Sequence, residues 1–296
     1  ATVALKELQG RHKQSKDFVL ERMFLKEAKI WSRLHHPHVA HFYGFTASTP
    51  VDSELEDQSI FLVMELCHTS LESRYQSSDL TAKDRVRIAH EIAMALQYLH
   101  SKGICHGDIK PANVLLTSNG VVRLCDFGLS KVGSRSSGGR LETDSGKQAP
   151  QVSRKLVVGT PMYMAPEILL LQHRSVQASF ADISDQEIGY DGCAADVYAF
   201  AILLFQLITC SACPMTSGSL GSVIGGSRPG IPVSCPHRLA SLLRACWHQQ
   251  PTQRPTLESV VEQLEAIHSS SIEMHAVETT LKKCAYRRSV TQSTDI

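Results

Sequence analysis

A change of hydrophobic periodicity near Leu80 constrains the fold of this chain more than any other feature. Before it, the runs "VAHFYGF" and "SIFLVMEL" have the composition of β-strands, and the acidic segment "TPVDSELEDQ" between them suits a loop joining an antiparallel pair. After it, apolar residues recur every three or four positions, as in amphipathic helices. A strand-rich part followed by a helix-rich part predicts an α+β fold.

Helix signals can be placed along both parts. The charged segment 17–34 has helical spacing and is ended by Pro37, whereas residues 1–8 alternate like a strand. Thr81 is a candidate N-cap of the first long helix of the second part, and Gly103 a candidate stop. The apolar run 197–208 is too short to span a bilayer and predicts a buried helix, with amphipathic helices following at 239–247 and 257–267.

Three segments lack such patterns. Residues 132–155 are rich in Ser and Gly, and residues 172–192 are mixed in character, so we expect two surface insertions. The first could be a phosphorylation target or only a tolerated loop. Residues 269–296 form a polar tail with little periodicity, which we expect to be loosely ordered.

Charge and cysteine usage exclude some functions. With 30 basic and 29 acidic residues, the chain has no bulk attraction for nucleic acid or an anionic membrane, and we expect neither partner. Nine cysteines without regular spacing favour reduced thiols, so we expect a cytoplasmic location with no membrane segment within the chain.

Several residues suit phosphoryl transfer, which needs a cation on the phosphates, oxygen ligands for Mg²⁺ and a base for the acceptor. Lys6 in "VALK" lies in a predicted strand, and Glu27 on the following helix could hold its ammonium. An ordinary surface ion pair is the alternative. In "CHGDIKPANVLL", Asp108 could accept a hydroxyl proton, Lys110 could neutralise charge and Asn113 could bind magnesium.

A second oxygen ligand follows in "CDFG", where Asp126 comes after a short predicted strand and Gly128 gives the turn freedom. Two metal-like patterns have simpler explanations. The four histidines of "HHPHVAH" are better explained by a His-Pro turn than by a metal site. The "CSAC" pair at 210–213 has zinc-like spacing but no second pair.

The order of these motifs is informative. "VALK", Glu27, "HGDIKPAN", "DFG" and "GTPMYMAPE" occur in the sequence order of the protein-kinase signature, so the chain resembles the eukaryotic protein kinases from residue 1 to about residue 267. The resemblance implies a two-lobed α+β fold. It comprises a partial, β-rich N-lobe (1–67) and a larger, mainly helical C-lobe (68–268), with the insertions at about 132–155 and 172–192 and the tail at 269–296.

The resemblance also implies roles. Asp108 would be the catalytic base, Lys110 a charge-neutralising cation, and Asn113 and Asp126 the Mg²⁺ ligands. ATP would contact Lys6, which Glu27 would hold. The adenine would lie between Ala4 and Leu115, with Met64 as the gatekeeper residue and the backbone of Glu65 and Cys67 as the hinge. Thr160 would position the substrate, and the structural supports would be Glu167, Asp196 and Arg254.

The acceptor class follows from the same resemblance. "KPAN" with Thr160 resembles the serine/threonine pattern, and "RPGIPVSCPHRLASLLRACWHQQPTQRPT" is similar to the tyrosine-kinase-like (TKL) group. We therefore expect transfer of the ATP γ-phosphate to Ser/Thr hydroxyls of protein substrates. The alternative is a kinase-like scaffold that binds protein partners without transferring phosphate. Activity is favoured because the chain retains all six polar residues of the site, which are Lys6, Glu27, Asp108, Lys110, Asn113 and Asp126.

Two departures from the family pattern bear on activity. A Gly-rich loop should precede "VALK", and the chain starts too late to contain it, so we expect weak ATP binding by this polypeptide. Gly107 stands where many kinases carry an Arg that receives an activation-loop phosphate. We therefore expect activity not to depend on such a phosphate, unless Lys131 or Arg123 takes over its reception.

Overall fold

The structure, a computed structural model, describes residues 2–7, 18–48, 59–77, 79–132, 134–135, 141–142, 160–177, 190–211 and 220–294. The strands are β1 Val3–Glu7, β2 Phe42–Ser48, β3 Ser59–Glu65, β4 Thr69–Ser70, β5 Ile104–Cys105, β6 Val114–Leu116, β7 Val122–Leu124, β8 Lys131–Val132, β9 Ser134–Arg135 and β10 Leu141–Glu142. The helices are α1 Phe18–Trp31, α2 Ala82–Ser101, α3 Pro166–Gln177, α4 Gly192–Thr209, α5 Leu220–Ile224, α6 His237–Cys246, α7 Leu257–Ser269 and α8 Ser271–Thr294.

The N-lobe is a three-stranded antiparallel sheet in the order β1-β3-β2, with α1 packed beside it. This confirms the predicted strand pair and the preceding strand and helix. Trp31 at the end of α1 is fully buried, stacks on Phe42 of β2, and donates its indole N–H to the carbonyl oxygen of Ala40 at 2.7 Å. The helix is thereby fixed against the sheet.

The C-lobe is built on α2 and α4. Thr81 caps α2 in a reciprocal capping box with Asp84, and Gly103 follows the helix with a φ of +69°, so both predicted ends are confirmed. Helix α4 is buried along its whole length, as predicted for the apolar run. It is longer than that run: its 18 residues would suffice by length and composition to cross a membrane, but 89% of them are buried within the protein, as in the core helix of a globular domain.

A small sheet at the junction of the lobes carries the polar motifs. Strands β4, β6 and β7 are antiparallel neighbours, and a 3₁₀ turn at Pro111–Asn113 leads into β6. Asp126 is the second residue after β7. Because β6 and β7 pair from Val114 opposite Leu124, the residue before β6 and the residues after β7 come together at one edge.

The structure corrects two expectations about irregular segments. Most of the predicted polar tail is helical: α8 spans Ser271–Thr294, buries Val277 and Thr280, and donates the Thr280 hydroxyl to the Ser234 carbonyl oxygen at 2.6 Å. The predicted insertion at 172–192 overlaps the end of α3 and the start of α4, and its middle lies outside the described residues, as do most of residues 132–155.

Candidate active site

Lys6 is held between two carboxylates at the junction of the lobes. Its ammonium lies 2.8 Å from Glu27 Oε1 and 2.8 Å from Asp126 Oδ1. Strand β1 supplies the lysine, helix α1 the glutamate and the segment after β7 the aspartate. The Lys6–Glu27 pair predicted from the sequence is therefore present. It joins three elements, unlike a simple surface ion pair.

The charges of this cluster stabilise one another against burial. Burial opposes the charge of Lys6, but the neighbouring Asp126 and Glu27 outweigh it and raise the pKa of the ammonium. Burial also opposes the charge of Glu27 and raises the pKa of its carboxyl, although Lys6 acts to lower that pKa. For Asp126, Lys6 prevails over burial and lowers the pKa of the carboxyl. Lys6 and Asp126 are thus held in their charged forms.

Asp126 is aimed by an unusual backbone. Its φ is +66°, a conformation that costs energy for a residue with a side chain, and the adjacent Phe127 is fully buried against Trp31 and His106. Packing of Phe127 thus holds the Asp126 backbone in place. The strain is located where a carboxylate must point into the space between the lobes.

The predicted acid, cation and hydroxyl meet in a second cluster. Lys110 Nζ lies 2.6 Å from Asp108 Oδ2 and donates to Thr160 Oγ1 at 3.1 Å, and the Thr160 hydroxyl lies 3.5 Å from Asp108 Oδ1. Thr160 is 52 residues from Asp108 in the chain. A cavity beside Asp108 is lined by Thr160, Tyr163 and Met164, among others.

Asn113 is buried and oriented by Asp108. Its amide nitrogen donates to the Asp108 carbonyl oxygen at 2.7 Å and to Asp108 Oδ2 at 2.9 Å. Both bonds use the nitrogen, so the amide oxygen is turned away from Asp108. An amide oxygen and the carboxylate of Asp126 are the hard oxygen donors that Mg²⁺ prefers. The donor set at this edge therefore fits a magnesium ion.

Asp196, at the start of α4, supports the loop that carries Asp108. Its carboxylate is almost completely buried and accepts the backbone N–H groups of His106 at 2.7 Å and Gly107 at 2.9 Å. His100 of α2 bonds to the same carboxylate at 2.9 Å. The bracing position expected for Asp196 is thus observed, and the buried charge is compensated by three donors.

The residues expected around the base lie on β1, β3 and β6 and in the connection that follows β3. Ala4 of β1 lies opposite Met64 of β3, and Leu115 is half-buried in β6. Glu65 ends β3, and its backbone N–H donates to the His41 carbonyl oxygen at 2.9 Å. Cys67 follows in the connection to the C-lobe, and burial raises the pKa of its thiol to about 11.

Glu167 and Arg254 form the predicted ion pair. The guanidinium binds both carboxylate oxygens, at 2.7 and 2.8 Å, and also donates to the carbonyl oxygens of Ala194 and His248. The Arg254 side chain is 1% exposed. Because one guanidinium joins α3, α4 and the segment before α7, the pair acts as a structural support.

Gly107 has a backbone role that the sequence does not reveal. Its φ is +82°, and a Cβ placed there would lie 2.9 Å from the Leu129 carbonyl oxygen. Only glycine adopts this conformation without strain. Gly107 therefore sets the backbone path of this loop, in addition to lacking a cation.

Sequence reasoning missed two clusters. Arg123 donates its Nε to both carboxylate oxygens of Glu65, at 2.9 Å each, so it is engaged in joining the hinge to β7 and is a poor candidate to receive a phosphate. Cys105 and Cys193 place their sulfur atoms 3.4 Å apart beside His100. Both contacts join residues more than 50 positions apart, which local patterns do not detect.

The histidines of "HHPHVAH" are engaged in packing where the structure describes them. His36 stacks on Tyr98 at 4.9 Å, and the Tyr98 hydroxyl accepts the backbone N–H of His35 at 2.9 Å. Among the described residues no cluster of three or more His, Cys, Asp or Glu is suited to a metal ion. Cys213 of the "CSAC" pair lies outside that part of the chain.

This site and this fold define a class: a two-lobed α+β domain with a Lys–Glu–Asp cluster facing an Asp–Lys–Asn loop. Comparison with protein-family models matches residues 1–264 to the protein kinase domain. The chain belongs to the protein kinase family.

Curated relatives carry kinase names. The chain is 30% identical to "Dual specificity protein kinase shkA" of Dictyostelium discoideum over 82% of its own length and 41% of that protein's. It is 31% identical to "Probable serine/threonine-protein kinase DDB_G0267514" of the same organism, over 84% of the chain and 24% of the relative. It is 27% identical to "Serine/threonine-protein kinase CTR1" of Arabidopsis thaliana, over 86% of the chain and 28% of that protein. The chain thus spans less than half the length of these relatives.

Proposed function

We propose that this domain is an active protein kinase that transfers the γ-phosphate of ATP to Ser or Thr hydroxyls of protein substrates. The observation that carries the proposal is the Asp108–Lys110–Thr160 cluster, in which an acid, a cation and a hydroxyl from distant parts of the chain meet beside a cavity. A domain that only bound partners would have no need of this arrangement.

The acceptor side of the reaction is assigned to Asp108. Its carboxylate would orient the substrate hydroxyl and accept its proton as the oxygen attacks phosphorus, with Lys110 stabilising the negative charge on the transferring group. Asn113 holds Asp108 in position through two hydrogen bonds, and Asp196 holds the backbone just before it. This preorganisation is the main contribution that a protein makes to phosphoryl transfer.

The nucleotide side is assigned to Lys6, Asp126 and Asn113. Lys6, positioned by Glu27, would contact the phosphates, and the oxygens of Asp126 and Asn113 would hold Mg²⁺. The ion, when bound, neutralises charge on the phosphate oxygens. Ala4, Met64, the backbone of Glu65 and Cys67, and Leu115 would enclose the base.

We infer Ser/Thr specificity and TKL-group membership from the "KPAN" and C-terminal sequence patterns. Two observations support the inference: several relatives are named serine/threonine kinases, and Thr160 contacts Lys110. Relatives named dual specificity kinases leave tyrosine as a second acceptor to be assayed. A cytoplasmic location is proposed from the cysteine usage.

The test is transfer of phosphate from ATP with Mg²⁺ to generic Ser, Thr and Tyr peptides, comparing the wild type with Asp108→Asn. Loss of a general base should lower kcat by at least about 100-fold. Arg238→Ala, which alters an exposed residue of α6 that pairs with Glu273, is the matched control. If the wild type and Asp108→Asn are equally slow while ATP still binds, the kinase-like scaffold is the correct function.

A further inference from the structure

Two cysteines distant in sequence meet behind the catalytic loop. Cys105 ends β5, one residue before the His106–Gly107 segment that Asp196 braces, and Cys193 is the second residue of α4. Their Sγ atoms are 3.4 Å apart. Cys105 is buried and Cys193 is half-buried, and no disulfide links the described cysteines. A disulfide requires about 2.05 Å between the sulfur atoms, so closure of the pair needs an approach of only about 1.4 Å.

The surroundings activate one sulfur of the pair. A hydrogen bond from the Cys105 thiol lowers the pKa of Cys193 to about 6. Burial acts to raise that pKa, and His100 acts to lower it. Burial opposes the charge of His100, but bonds to Asp196 and Cys193 raise the pKa of its imidazole to about 9. The same pair contact and burial raise the pKa of Cys105. Cys193 is thus the thiolate of the pair, at the positive end of a helix, and Cys105 is the thiol.

A small molecule can approach both sulfurs. The cavity lined by Asp108 and Thr160 continues to Cys105 and to Gly192, the residue before Cys193. Cys193 itself does not line this cavity, but it is half-buried and therefore partly open to solvent. Charged groups around it are His100, Asp196 and Asp191, the last of which caps α4 by accepting the Cys193 backbone N–H at 2.9 Å.

We propose that Cys105 and Cys193 form a modification site at which a small hydroperoxide is reduced and the two sulfurs close into a reversible disulfide. The Cys193 thiolate attacks the terminal oxygen of the hydroperoxide, the O–O bond breaks, and the leaving alkoxide or hydroxide takes the proton of His100. Cys105 then attacks the Cys193 sulfenic acid, the S–O bond breaks, and the hydroxyl leaves as water with the Cys105 proton. In total, two thiols and one hydroperoxide give a disulfide, one alcohol or water molecule, and one water.

The modification acts on the proposed kinase site through Asp196. Closing the sulfurs draws Cys105 toward α4, and the next two residues are those whose N–H groups bond to Asp196 at 2.7 and 2.9 Å. Asp108 follows immediately. Since a displacement of about 1 Å in a catalytic group can lower a rate by about 100-fold, the disulfide should inhibit phosphate transfer and a thiol reductant should restore it. This consequence rests on the proposed function, whereas formation of the disulfide does not.

The first experiment reads the chemistry directly. The reduced chain is treated with one equivalent of hydrogen peroxide, then alkylated, digested and analysed by mass spectrometry. Cys67 is the internal control because it is also half-buried, but burial raises its pKa to about 11. We expect a Cys105–Cys193 linked peptide, with Cys193 reacting at least about tenfold faster than Cys67, because the pKa of Cys193 is lowered and that of Cys67 is raised. Equal reactivity of the two residues, or oxidation of Cys193 without the linked peptide, overturns the proposal.

The second experiment measures the consequence. Peroxide should lower phosphate transfer by the wild type at least about tenfold, in a way that dithiothreitol reverses. The Cys193→Ser and Cys105→Ser variants should keep their activity under the same treatment. Unchanged activity of fully disulfide-bonded wild type would overturn the inhibitory role. A chain with no kinase activity that still forms the linked peptide would instead refute the proposed function alone.

Discussion

Replacing Gly107 by alanine should damage both stability and catalysis. At a φ of +82° an L-residue pays about 1–2 kcal/mol for the left-handed backbone. The added Cβ would lie 2.9 Å from the backbone oxygen of Leu129, a contact that cannot be relieved by a side-chain rotation. Forcing an extra methyl group into a packed site costs about 1–3 kcal/mol more. The expected loss in free energy of unfolding is therefore about 2–5 kcal/mol.

Gly120→Ala is the matched control for this prediction. Gly120 has a φ of +74°, but its nearest neighbour would be the end of the flexible Arg87 side chain at 3.4 Å. The control should lose only the backbone contribution of about 1–2 kcal/mol and keep its activity. The difference between the two variants isolates the contact with Leu129.

Chemical denaturation and steady-state kinetics together test the reasoning. Gly107 also donates its N–H to Asp196 at 2.9 Å, so relaxing the clash would move the residue before Asp108 and lower kcat/KM by about 100-fold. Equal stability losses in Gly107→Ala and Gly120→Ala, with unchanged kinetics, would show that the backbone at this position is not constrained as described. Gly107→Arg should be no more active than Gly107→Ala, because any side chain at position 107 meets the same conflict with the Leu129 backbone, whether or not it can also contact a phosphate.

The remaining predictions concern the ion pairs and the loop. Arg254→Ala should cost about 3–5 kcal/mol in denaturant unfolding, because Glu167 loses its partner, whereas Arg238→Ala should cost less than about 1 kcal/mol; similar losses would contradict the support role. His100 has a raised pKa, so its contribution to stability is present below about pH 6.5 and is lost as pH rises through about 9. Cys193 has a lowered pKa, so its contribution to the stability of the protein grows as pH rises over nearly the same interval. Cys193→Ser should therefore expose a decline of up to about 1.4 kcal/mol per pH unit above about pH 6.5 that the wild type does not show, measured by melting at several pH values. The decline should end below about pH 9, because the variant loses the part of the rise in the His100 pKa that Cys193 causes. Replacing the Ser and Thr residues of the first insertion by Ala should change kcat/KM by less than about tenfold, or about 1.4 kcal/mol, and a loss of 100-fold would indicate a phosphate receiver other than position 107. The residues to replace are Ser134, Ser136, Ser137, Thr143 and Ser145.

The sequence could predict those parts of the fold whose signals are local. The capping of α2 by Thr81 and the antiparallel pairing of β2 with β3 follow from neighbouring residues, and both are confirmed. The Lys6–Glu27 contact is long-range, but it could be predicted because the order of several motifs identified the family. Each motif alone would have allowed an ordinary surface ion pair.

The rest depended on contacts or backbone angles that leave no local pattern. Helix α8 lacks an amphipathic repeat, so its docking through Val277 and Thr280 could not be recognised. The sequence shows that Gly107 stands where many kinases carry an arginine, but it does not reveal the positive φ of this residue. The approach of Cys105 to Cys193 arises from packing of α4 against β5, over a separation of 88 residues.

The docking of α8 bears on where this protein can be cut. The family match ends at residue 264, but Val277 is fully buried and the Thr280 hydroxyl donates to the Ser234 carbonyl oxygen. A fragment ending at the family boundary would expose the apolar surface of α2, α4 and α7 that α8 covers, and such surfaces promote aggregation. The shortest fragment that folds as a unit should therefore include α8 at least through Leu281, which packs against the core. Limited proteolysis should leave that extra helix attached to the domain.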